Sequence, residues 1–274
     1  MKRRNLLLTI VAAATLTASA SPHVAARQTA ARRQQTATRT RPAVIKTARR
    51  DLNLGLSCLK QRIRASVFGK GKRHVILLGA VHGDEPASAT LVEAFVASLE
   101  REALPSALSV VVVPVVNPDG IKANTRYNGC GVDVNRNFPT KTWQADSHDE
   151  RHKPGRSPAS EPETRLIINL VEKYRPVLIV SVHAPLHCVN WDGPAEQVAE
   201  VMSKANGYEL RASIGYPTPG SLGSYAGIER NIPAVTLELP PTSDDETIRL
   251  NVLALHAALK HLAASRRAAG RNGQ

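Results

Sequence analysis

The sequence contains only three cysteines, Cys58, Cys130 and Cys188. None of them stands in a CxxC pair, so the spacing argues against a structural zinc site built from cysteine thiolates. Three cysteines allow one disulfide and one free thiol, and the sequence alone does not choose the pair.

The chain also lacks an apolar run long enough to span a bilayer. Its most apolar stretch, residues 6–16, is about half the length that a transmembrane helix needs. The basic residues 2–4 precede this stretch and small residues follow it, which is the layout of a secretory signal peptide over residues 1–26. An uncleaved membrane anchor is the alternative, which the short run disfavours. We therefore expect a periplasmic or secreted protein with no stable membrane span after signal cleavage.

Acidic residues are missing from both ends of the chain. Residues 1–50 and 249–274 hold sixteen of the 36 lysines and arginines and no Asp or Glu. Residues 51–248 contain the remaining 20 basic residues and all 23 acidic ones, so the net charge of +13 comes from the two ends of the chain. A nucleic-acid-binding domain needs basic residues clustered on its own surface. We expect no nucleic-acid partner, and only a weak contact of the basic ends with the anionic envelope.

Composition divides the remaining chain into three parts. Residues 27–50 contain no acidic and no aromatic residue, which is typical of a basic disordered linker. Residues 51–265 are enough for a single α/β domain with a sizeable core, and no internal repeat divides them. Residues 266–274 form a short basic tail.

Predicted strands and helices alternate along this domain. Branched apolar runs predict strands, and a Gly-rich turn predicts an antiparallel strand before the first of them: 59–68, 74–80, 109–116, 177–182 and 234–239. Helical apolar spacing predicts helices at 87–103, 161–174, 195–206 and 244–265. The polar segment 117–160 is predicted to be a long loop, and a loop of that length in a compact domain is usually functional or mobile. This order predicts a mixed, largely parallel central sheet flanked by helices.

Reactive side chains follow the predicted strands. His82 and Glu85 come just after strand 74–80, and His183 comes directly after strand 177–182. In such sheets the functional crevice lies at the carboxyl ends of the strands. A lone H-x-x-E pair is weak evidence, and a lone histidine after a strand is more often a core residue. Two histidines and one glutamate together form a known catalytic zinc arrangement.

Glu238 lies inside the apolar strand 234–239. A buried carboxylate costs free energy unless it is paired or has a function. We therefore predict a functional role for Glu238.

Five short segments carry a family resemblance: HGDE at 82–85, NPDG at 117–120, VDVNRNFP at 132–139, TPGS at 218–221 and LELP at 237–240. Together they resemble the M14 family of zinc carboxypeptidases and, within it, the murein peptide amidase branch of bacteria. The matching segments extend over most of the predicted domain in the order of the family.

The resemblance implies a metal centre with one Zn²⁺ per chain. His82, Glu85 and His183 match the family's metal ligands, and Asp133 matches the aspartate that orients the first histidine. Such a carboxylate fixes the tautomer of the ligand. Glu238 matches the general base, which takes a proton from water and passes it to the leaving amine.

The resemblance also implies a substrate grip. Asn135 and Arg136 match the pair that binds the terminal carboxylate of the substrate, which suits the bidentate geometry of a guanidinium. Arg126 matches the arginine that stabilises the oxyanion. Tyr216 is the candidate for a tyrosine that closes over the substrate, and Tyr225 is a nearby alternative.

The branch implies hydrolysis of the γ-D-glutamyl–meso-diaminopimelate bond of a murein peptide. Three alternatives stay open: a deacylase of the aspartoacylase or succinylglutamate desuccinylase type, a non-catalytic peptidoglycan-binding module, and a carboxypeptidase acting on ordinary L-peptides. The Asn135–Arg136 pair favours a peptidase over a deacylase, and the complete ligand set with Glu238 favours catalysis over binding alone. We expect Leu222 and residues 185–193 to form walls of the side-chain pocket.

Overall fold

The computed structural model describes residues 47–146 and 151–269, with side chains as far as Ser265. The predicted signal peptide, residues 27–46 of the predicted linker and residues 270–274 of the predicted tail lie outside the described residues.

One mixed sheet of eight strands forms the centre of the domain. Its strands are β1 Arg49–Leu56, β2 Arg62–Phe68, β3 Arg73–Leu78, β4 Leu108–Val113, β5 Leu178–His183, β6 Cys188–Asp192, β7 Glu209–Arg211 and β8 Ala234–Glu238. They are ordered β1-β2-β4-β3-β5-β8-β6-β7. The four central strands β4, β3, β5 and β8 are parallel, whereas β1, β2 and β6 join by antiparallel pairing. The predicted mixed, largely parallel sheet is confirmed.

Helices cover both faces of this sheet: α1 Pro86–Leu99, α2 Pro118–Ala123, α3 Pro162–Tyr174, α4 Glu196–Asn206 and α5 Asp245–Ala269. A 3₁₀ turn at Val134–Arg136 and a π-helix at Gly223–Ile228 complete the described elements. Proline at the start of α1, α2 and α3 suits the first helical turn, where its missing N–H is not needed. Among these helices none is both long and apolar enough to cross a membrane.

Two apolar clusters result from the alternation of side chains along the strands. Val75 and Leu77 of β3 pack with α1, α4 and α5 on one face, around Phe95 and Met202. Ile76 and Leu78 point to the opposite face and pack with α3 and the π-helix. Polar residues at the carboxyl ends of β5 and β8 lie on this second face, because their neighbours Val182 and Leu237 belong to the first cluster.

The ends of the domain differ from the sequence expectation. The linker was predicted to continue to residue 50, but β1 begins at Arg49. The Arg49 guanidinium contacts Asp51 and Glu100, and β1 pairs with β2 along its length. An edge strand is held by backbone pairing and needs few apolar side chains, so composition does not reveal it. Likewise α5 continues to Ala269, four residues beyond the predicted boundary at 265.

A disulfide joins Cys58, in the turn after β1, to Cys130, in the loop before the 3₁₀ turn. The Cα atoms are 5.9 Å apart, and the cysteines are separated by 72 positions in the chain. Cys188 is buried and free. The fold thus chooses the pair that the sequence left open.

Candidate active site

The carboxyl ends of β3, β5 and β8 open into one cavity of about 610 Å³. His183 ends β5 and pairs in register with Glu238, which ends β8. His82 and Glu85 occupy the turn between β3 and α1. Eight of the nine predicted site residues line this cavity: His82, Glu85, Arg126, Asn135, Arg136, His183, Tyr216 and Glu238. The ninth, Asp133, is fully buried behind His82.

His82, Glu85 and His183 form a compact cluster, with their ligand atoms within 4.8 Å of one another. The two Nδ1 atoms of the histidines are 3.1 Å apart. Glu85 places Oε1 2.8 Å from Nδ1 of His82 and Oε2 3.0 Å from Nδ1 of His183. All three side chains are buried, so a single cation at this point would meet two nitrogens and one carboxylate.

The other ring nitrogen of each histidine is already engaged. Nε2 of His82 lies 3.0 Å from Oδ1 of Asp133, and Nε2 of His183 lies 2.9 Å from Oγ of Ser181. These contacts turn both Nδ1 atoms toward Glu85. Partners of this kind orient a ligating histidine and raise its basicity. Ser181 was not predicted, although its position two residues before His183 on the same strand places both on one face.

The carboxylates of Glu85 and Asp133 stabilise positive charge at the cluster. Burial by itself would lower the pKa of His82, but the carboxylates of Glu85 and Asp133 raise it to about 9. Burial would raise the pKa of Glu85, but His82 and His183 hold it well below its usual range. A divalent cation would meet the same demand in place of protons. The N, N, O donor set fits Zn²⁺.

Arg126 is held beside the cluster by carboxylates. Its Nε donates to Oδ2 of Asp133 at 2.9 Å, and one terminal nitrogen lies 3.5 Å from Oε1 of Glu85. Within the described residues its second terminal nitrogen has no recorded hydrogen bond. That nitrogen is the group of Arg126 left to donate to a ligand in the cavity.

Asn135 and Arg136 lie side by side in the 3₁₀ turn. The Asn135 backbone N–H donates to Oδ1 of Asp133 at 2.9 Å, and its side-chain oxygen accepts from the Leu222 N–H at 2.8 Å. The Asn135 amide NH₂ is therefore the group left to donate. Arg136 is buried and donates to the Asn135 carbonyl at 2.8 Å. A guanidinium held in this way suits a carboxylate ligand, which it binds bidentately.

Glu238 is 7% exposed. One of its oxygens accepts from the Leu186 N–H at 3.3 Å. Burial raises the pKa of Glu238, the charge of Glu85 adds to the rise, and His183 opposes it. A buried carboxylate whose pKa is raised is a better proton acceptor, which is the property a general base requires.

The structure separates the two candidate tyrosines. Tyr225 is 2% exposed, packs against Phe138 and lies under the Arg230 guanidinium, whose carbon is 3.6 Å from the ring centre. Tyr216 is 45% exposed, and its ring faces His152 at 6.1 Å between centroids. Tyr216 lines the cavity and Tyr225 does not. The closing role of Tyr216 stays a prediction.

The predicted walls of the pocket are partly different from those observed. Leu222 belongs to the apolar core and contributes only its backbone N–H, which holds Asn135. Residues 185–193 do contribute: Pro185 and Leu186 line the cavity from the loop before β6, and the rest of the contribution comes from strand β6 itself. This strand brings Asn190 and Asp192 into the cavity, neither of which was singled out in the sequence.

Comparison with known proteins agrees with this geometry. The sequence profile of the family described as zinc carboxypeptidase, peptidase M14, matches residues 53–196. Murein peptide amidase A of Escherichia coli (strain K12) is 34% identical over 196 residues, which are 68% of this chain and 78% of that protein. Murein peptide amidase A of Vibrio campbellii is 36% identical over 198 residues, covering 68% and 77%.

Solved structures share the fold. The murein-tripeptide amidase of Escherichia coli O157 superposes with a TM-score of 0.62 at 32% identity, covering 78% of this chain and 91% of that one. Carboxypeptidase A of Helicoverpa armigera superposes with a TM-score of 0.69 at 18% identity, covering 81% and 70%, which speaks for the fold alone. The His–Glu–His cluster lies at the edge of the sheet, and the family profile matches residues 53–196. The chain therefore belongs to the M14 family of zinc carboxypeptidases and is a peptide-bond hydrolase.

Proposed function

We propose that this chain is a zinc-dependent carboxypeptidase that releases meso-diaminopimelate from murein peptides by hydrolysing the γ-D-glutamyl–diaminopimelate bond. The observation that supports this proposal best is that Asn135 and Arg136, which can bind a substrate carboxylate, line the same cavity as the buried His–Glu–His cluster and Glu238. The relatives named murein peptide amidase A support the substrate.

His82, Glu85 and His183 would hold one Zn²⁺. When bound there, zinc supplies a Lewis acid that polarises a carbonyl and lowers the pKa of water. Asp133 and Ser181 hold the two histidine rings in the orientation that presents both Nδ1 atoms. Ligand orientation is thereby set before any ion binds.

Glu238 acts as the general base. It takes a proton as water adds to the scissile carbonyl carbon, and it gives that proton to the amine nitrogen as the C–N bond breaks. The second terminal nitrogen of Arg126 donates to the oxyanion that forms on the carbonyl oxygen. The products are a free γ-carboxylate on the glutamyl residue and the released amino acid.

Asn135 and Arg136 bind the α-carboxylate of the residue that leaves. Because Asn135 is fixed by contacts to Asp133 and Leu222 and Arg136 donates to the Asn135 carbonyl, the carboxylate must sit at one distance from the cluster. This restricts hydrolysis to the last bond of the chain and distinguishes a carboxypeptidase from an endopeptidase.

The test is to incubate the purified zinc-loaded protein with L-Ala-γ-D-Glu-meso-diaminopimelate and, separately, with an L-peptide of the same length. Diaminopimelate should be released, release should stop on chelation and return with zinc, and Glu238→Gln should slow it about 10²- to 10⁴-fold. Glu200→Gln, which removes one exposed carboxylate from α4, should behave like the wild type. Turnover of the L-peptide alone would contradict the substrate, and turnover of neither would contradict the enzyme.

We also propose that the chain is exported, since residues 1–26 have the layout of a signal peptide. Mass spectrometry of the protein recovered from the periplasm or medium should show a mature form shortened by about that segment. An intact amino terminus in the cytosolic fraction would contradict the proposal.

A further inference from the structure

No residue of the family segment NPDG, at 117–120, has a role in the proposed reaction. Its first residue, Asn117, is 0% exposed and lies at the start of α2. The side-chain oxygen of Asn117 accepts from the Gly120 N–H at 2.8 Å, which caps the helix. Because the cap uses only the oxygen, the amide NH₂ of Asn117 is available to other acceptors.

The Asn117 NH₂ donates to two backbone carbonyls from different parts of the site. One acceptor is the Val81 oxygen at 3.3 Å, and the other is the Tyr127 oxygen at 3.1 Å. Val81 directly precedes the proposed metal ligand His82, and Tyr127 directly follows Arg126. A single side chain therefore joins the backbone beside a metal ligand to the backbone beside the arginine assigned to the oxyanion.

Two glycines let these segments approach closely enough for the contact, since glycine has no Cβ. A Cβ on Gly120 would overlap the Nδ2 atom of Asn117. A Cβ on Gly83, in the turn that follows His82, would overlap the Gly120 carbonyl group. The turn that carries His82 therefore packs directly against the backbone of the first turn of α2.

The residues just before His82 include a strained one, which Asn117 also holds. Ala80 has a φ of +43°, in the left-handed region that residues with a side chain seldom adopt. Conformations of this kind persist where surrounding contacts fix them. The Asn117 backbone N–H donates to the Ala80 carbonyl at 2.9 Å, and its side chain holds the next carbonyl, that of Val81. Both peptide groups that lead into His82 are thus fixed by one residue.

Side chains make a second connection between His82 and Arg126. One oxygen of Asp133 lies 3.0 Å from Nε2 of His82, and the other accepts from Nε of Arg126 at 2.9 Å. Asp133 thus sets where the imidazole and the guanidinium meet, whereas Asn117 sets where the two backbones start. With both ends of each side chain fixed, the second terminal nitrogen of Arg126 keeps one distance from the His–Glu–His cluster.

We propose that Asn117 is a positioning residue that fixes Arg126 relative to His82. Among the described residues that line the cavity Asn117 is not found, so it acts through these two residues rather than by touching the substrate. The inference rests on the proposed function, in which the oxyanion forms beside both the cluster and Arg126. Catalysis depends on such geometry, and a displacement of about 1 Å can lower the rate about 100-fold.

The test variant is Asn117→Asp, which removes the NH₂ while keeping the size of the side chain and the oxygen that caps α2. Asn251→Asp is the matched control. Asn251 is also 0% exposed, and its NH₂ donates to the Tyr208 hydroxyl at 2.7 Å and to the Thr247 carbonyl at 2.8 Å. Tyr208 belongs to the first apolar cluster, on the face of the sheet away from the site. Each variant is made alone and together with Arg126→Ala.

Double-mutant cycles on L-Ala-γ-D-Glu-meso-diaminopimelate separate positioning from packing. With zinc-loaded protein below the onset of melting, Asn117→Asp should lower kcat/KM about 10- to 100-fold, mainly through kcat. In the Arg126→Ala background the same substitution should lower kcat/KM about threefold or less, because the arginine that it positions is gone. Asn251→Asp should lower Tm and leave kcat/KM nearly unchanged in both backgrounds.

Equal losses from Asn117→Asp in both backgrounds, or no loss in either, would overturn the inference. A matching loss from Asn251→Asp would overturn it as well, since loss of any buried amide would then have the same effect. If Asn117→Asp does not fold, Asn117→Ser takes its place in the cycle. Serine keeps an oxygen for the helix cap, but its short hydroxyl cannot bridge the two carbonyls.

Failure of the proposed function is recognised separately. If the wild type releases no diaminopimelate, the proposed function fails, and zinc affinity measured by competition with a chelator decides the inference. Asn117→Asp should then weaken zinc binding about 10-fold, because the backbone of His82 is no longer held, and Asn251→Asp should not. Unchanged zinc affinity in Asn117→Asp would refute the positioning role.

Discussion

The Cys58–Cys130 disulfide is expected to stabilise the domain mainly through the unfolded chain. It closes a loop between cysteines 72 positions apart, and restricting a loop of that length corresponds to about 4 kcal/mol. In a domain of this size each kcal/mol shifts Tm by roughly 2–4 °C. Replacing both cysteines by serine should therefore lower Tm by roughly 8–16 °C.

Catalysis should survive this change, because the loop that carries the site has other anchors. The Asn128 amide donates to Glu161 at 2.8 Å and to Glu163 at 2.9 Å. Its side-chain oxygen accepts the backbone N–H groups of Cys130 and Val132. These bonds hold the segment between Arg126 and Asp133 in the folded state whether or not the disulfide is present, so turnover at room temperature should be nearly unchanged.

Differential scanning calorimetry of the wild type and the Cys58→Ser, Cys130→Ser double variant, each with and without reductant, measures the effect. Reductant should bring the wild type to the Tm of the double variant and leave the double variant unchanged. Cys188→Ala is the matched control, because Cys188 is buried and forms no disulfide. The change in Tm caused by this substitution should be the same whether the Cys58–Cys130 disulfide is intact or reduced. An unchanged Tm in the double variant, or a loss of turnover without a loss of stability, would refute the reasoning.

Three further predictions concern the catalytic end of the cavity. Glu238→Gln should lower kcat about 10²- to 10⁴-fold. Because burial raises the pKa of Glu238 in the fold, its contribution to wild-type stability is fully present below the ordinary pKa of about 4.3 and is lost as pH rises through the folded pKa. The variant should therefore melt higher than the wild type at pH 8 but not at pH 4, and the opposite order would contradict the burial argument. Asp133→Asn should weaken zinc binding about 10- to 100-fold, measured by competition with a chelator, and unchanged affinity would remove Asp133 from its orienting role. Zinc must displace a proton from His82, whose pKa is raised to about 9, so the apparent zinc affinity should rise with pH up to that value. Calorimetry in buffers of different ionisation enthalpy should show the released proton. A zinc affinity that does not depend on pH would contradict this prediction.

Much of the fold follows from local patterns. Branched apolar runs predicted β3, β4, β5 and β8, and helical apolar spacing predicted α1, α3, α4 and α5. The strands that were missed are β1, β6 and β7, which are short or lie at the edge of the sheet and carry many polar residues. Their backbone pairing comes from neighbours distant in the chain, and periodicity does not record it.

The site was also largely predictable from sequence, because its parts are local. His82 and Glu85 stand three residues apart and His183 closes an apolar strand, whereas Asn135 and Arg136 were expected from the family resemblance. Each lies where a parallel strand ends or in the loop that follows one, and the rule that such ends share one edge of the sheet brings them together.

Tertiary structure alone decided which groups became partners. It paired Cys58 with Cys130, placed Ser181 behind His183, and turned Tyr225 into the core while leaving Tyr216 at the cavity. It also set Asp192 on the cavity floor, because β6 inserts between β8 and β7. Strand order and packing against the π-helix are set by contacts between segments far apart in the chain. The sequence around Asp192 therefore does not indicate that its carboxylate lies at the cavity.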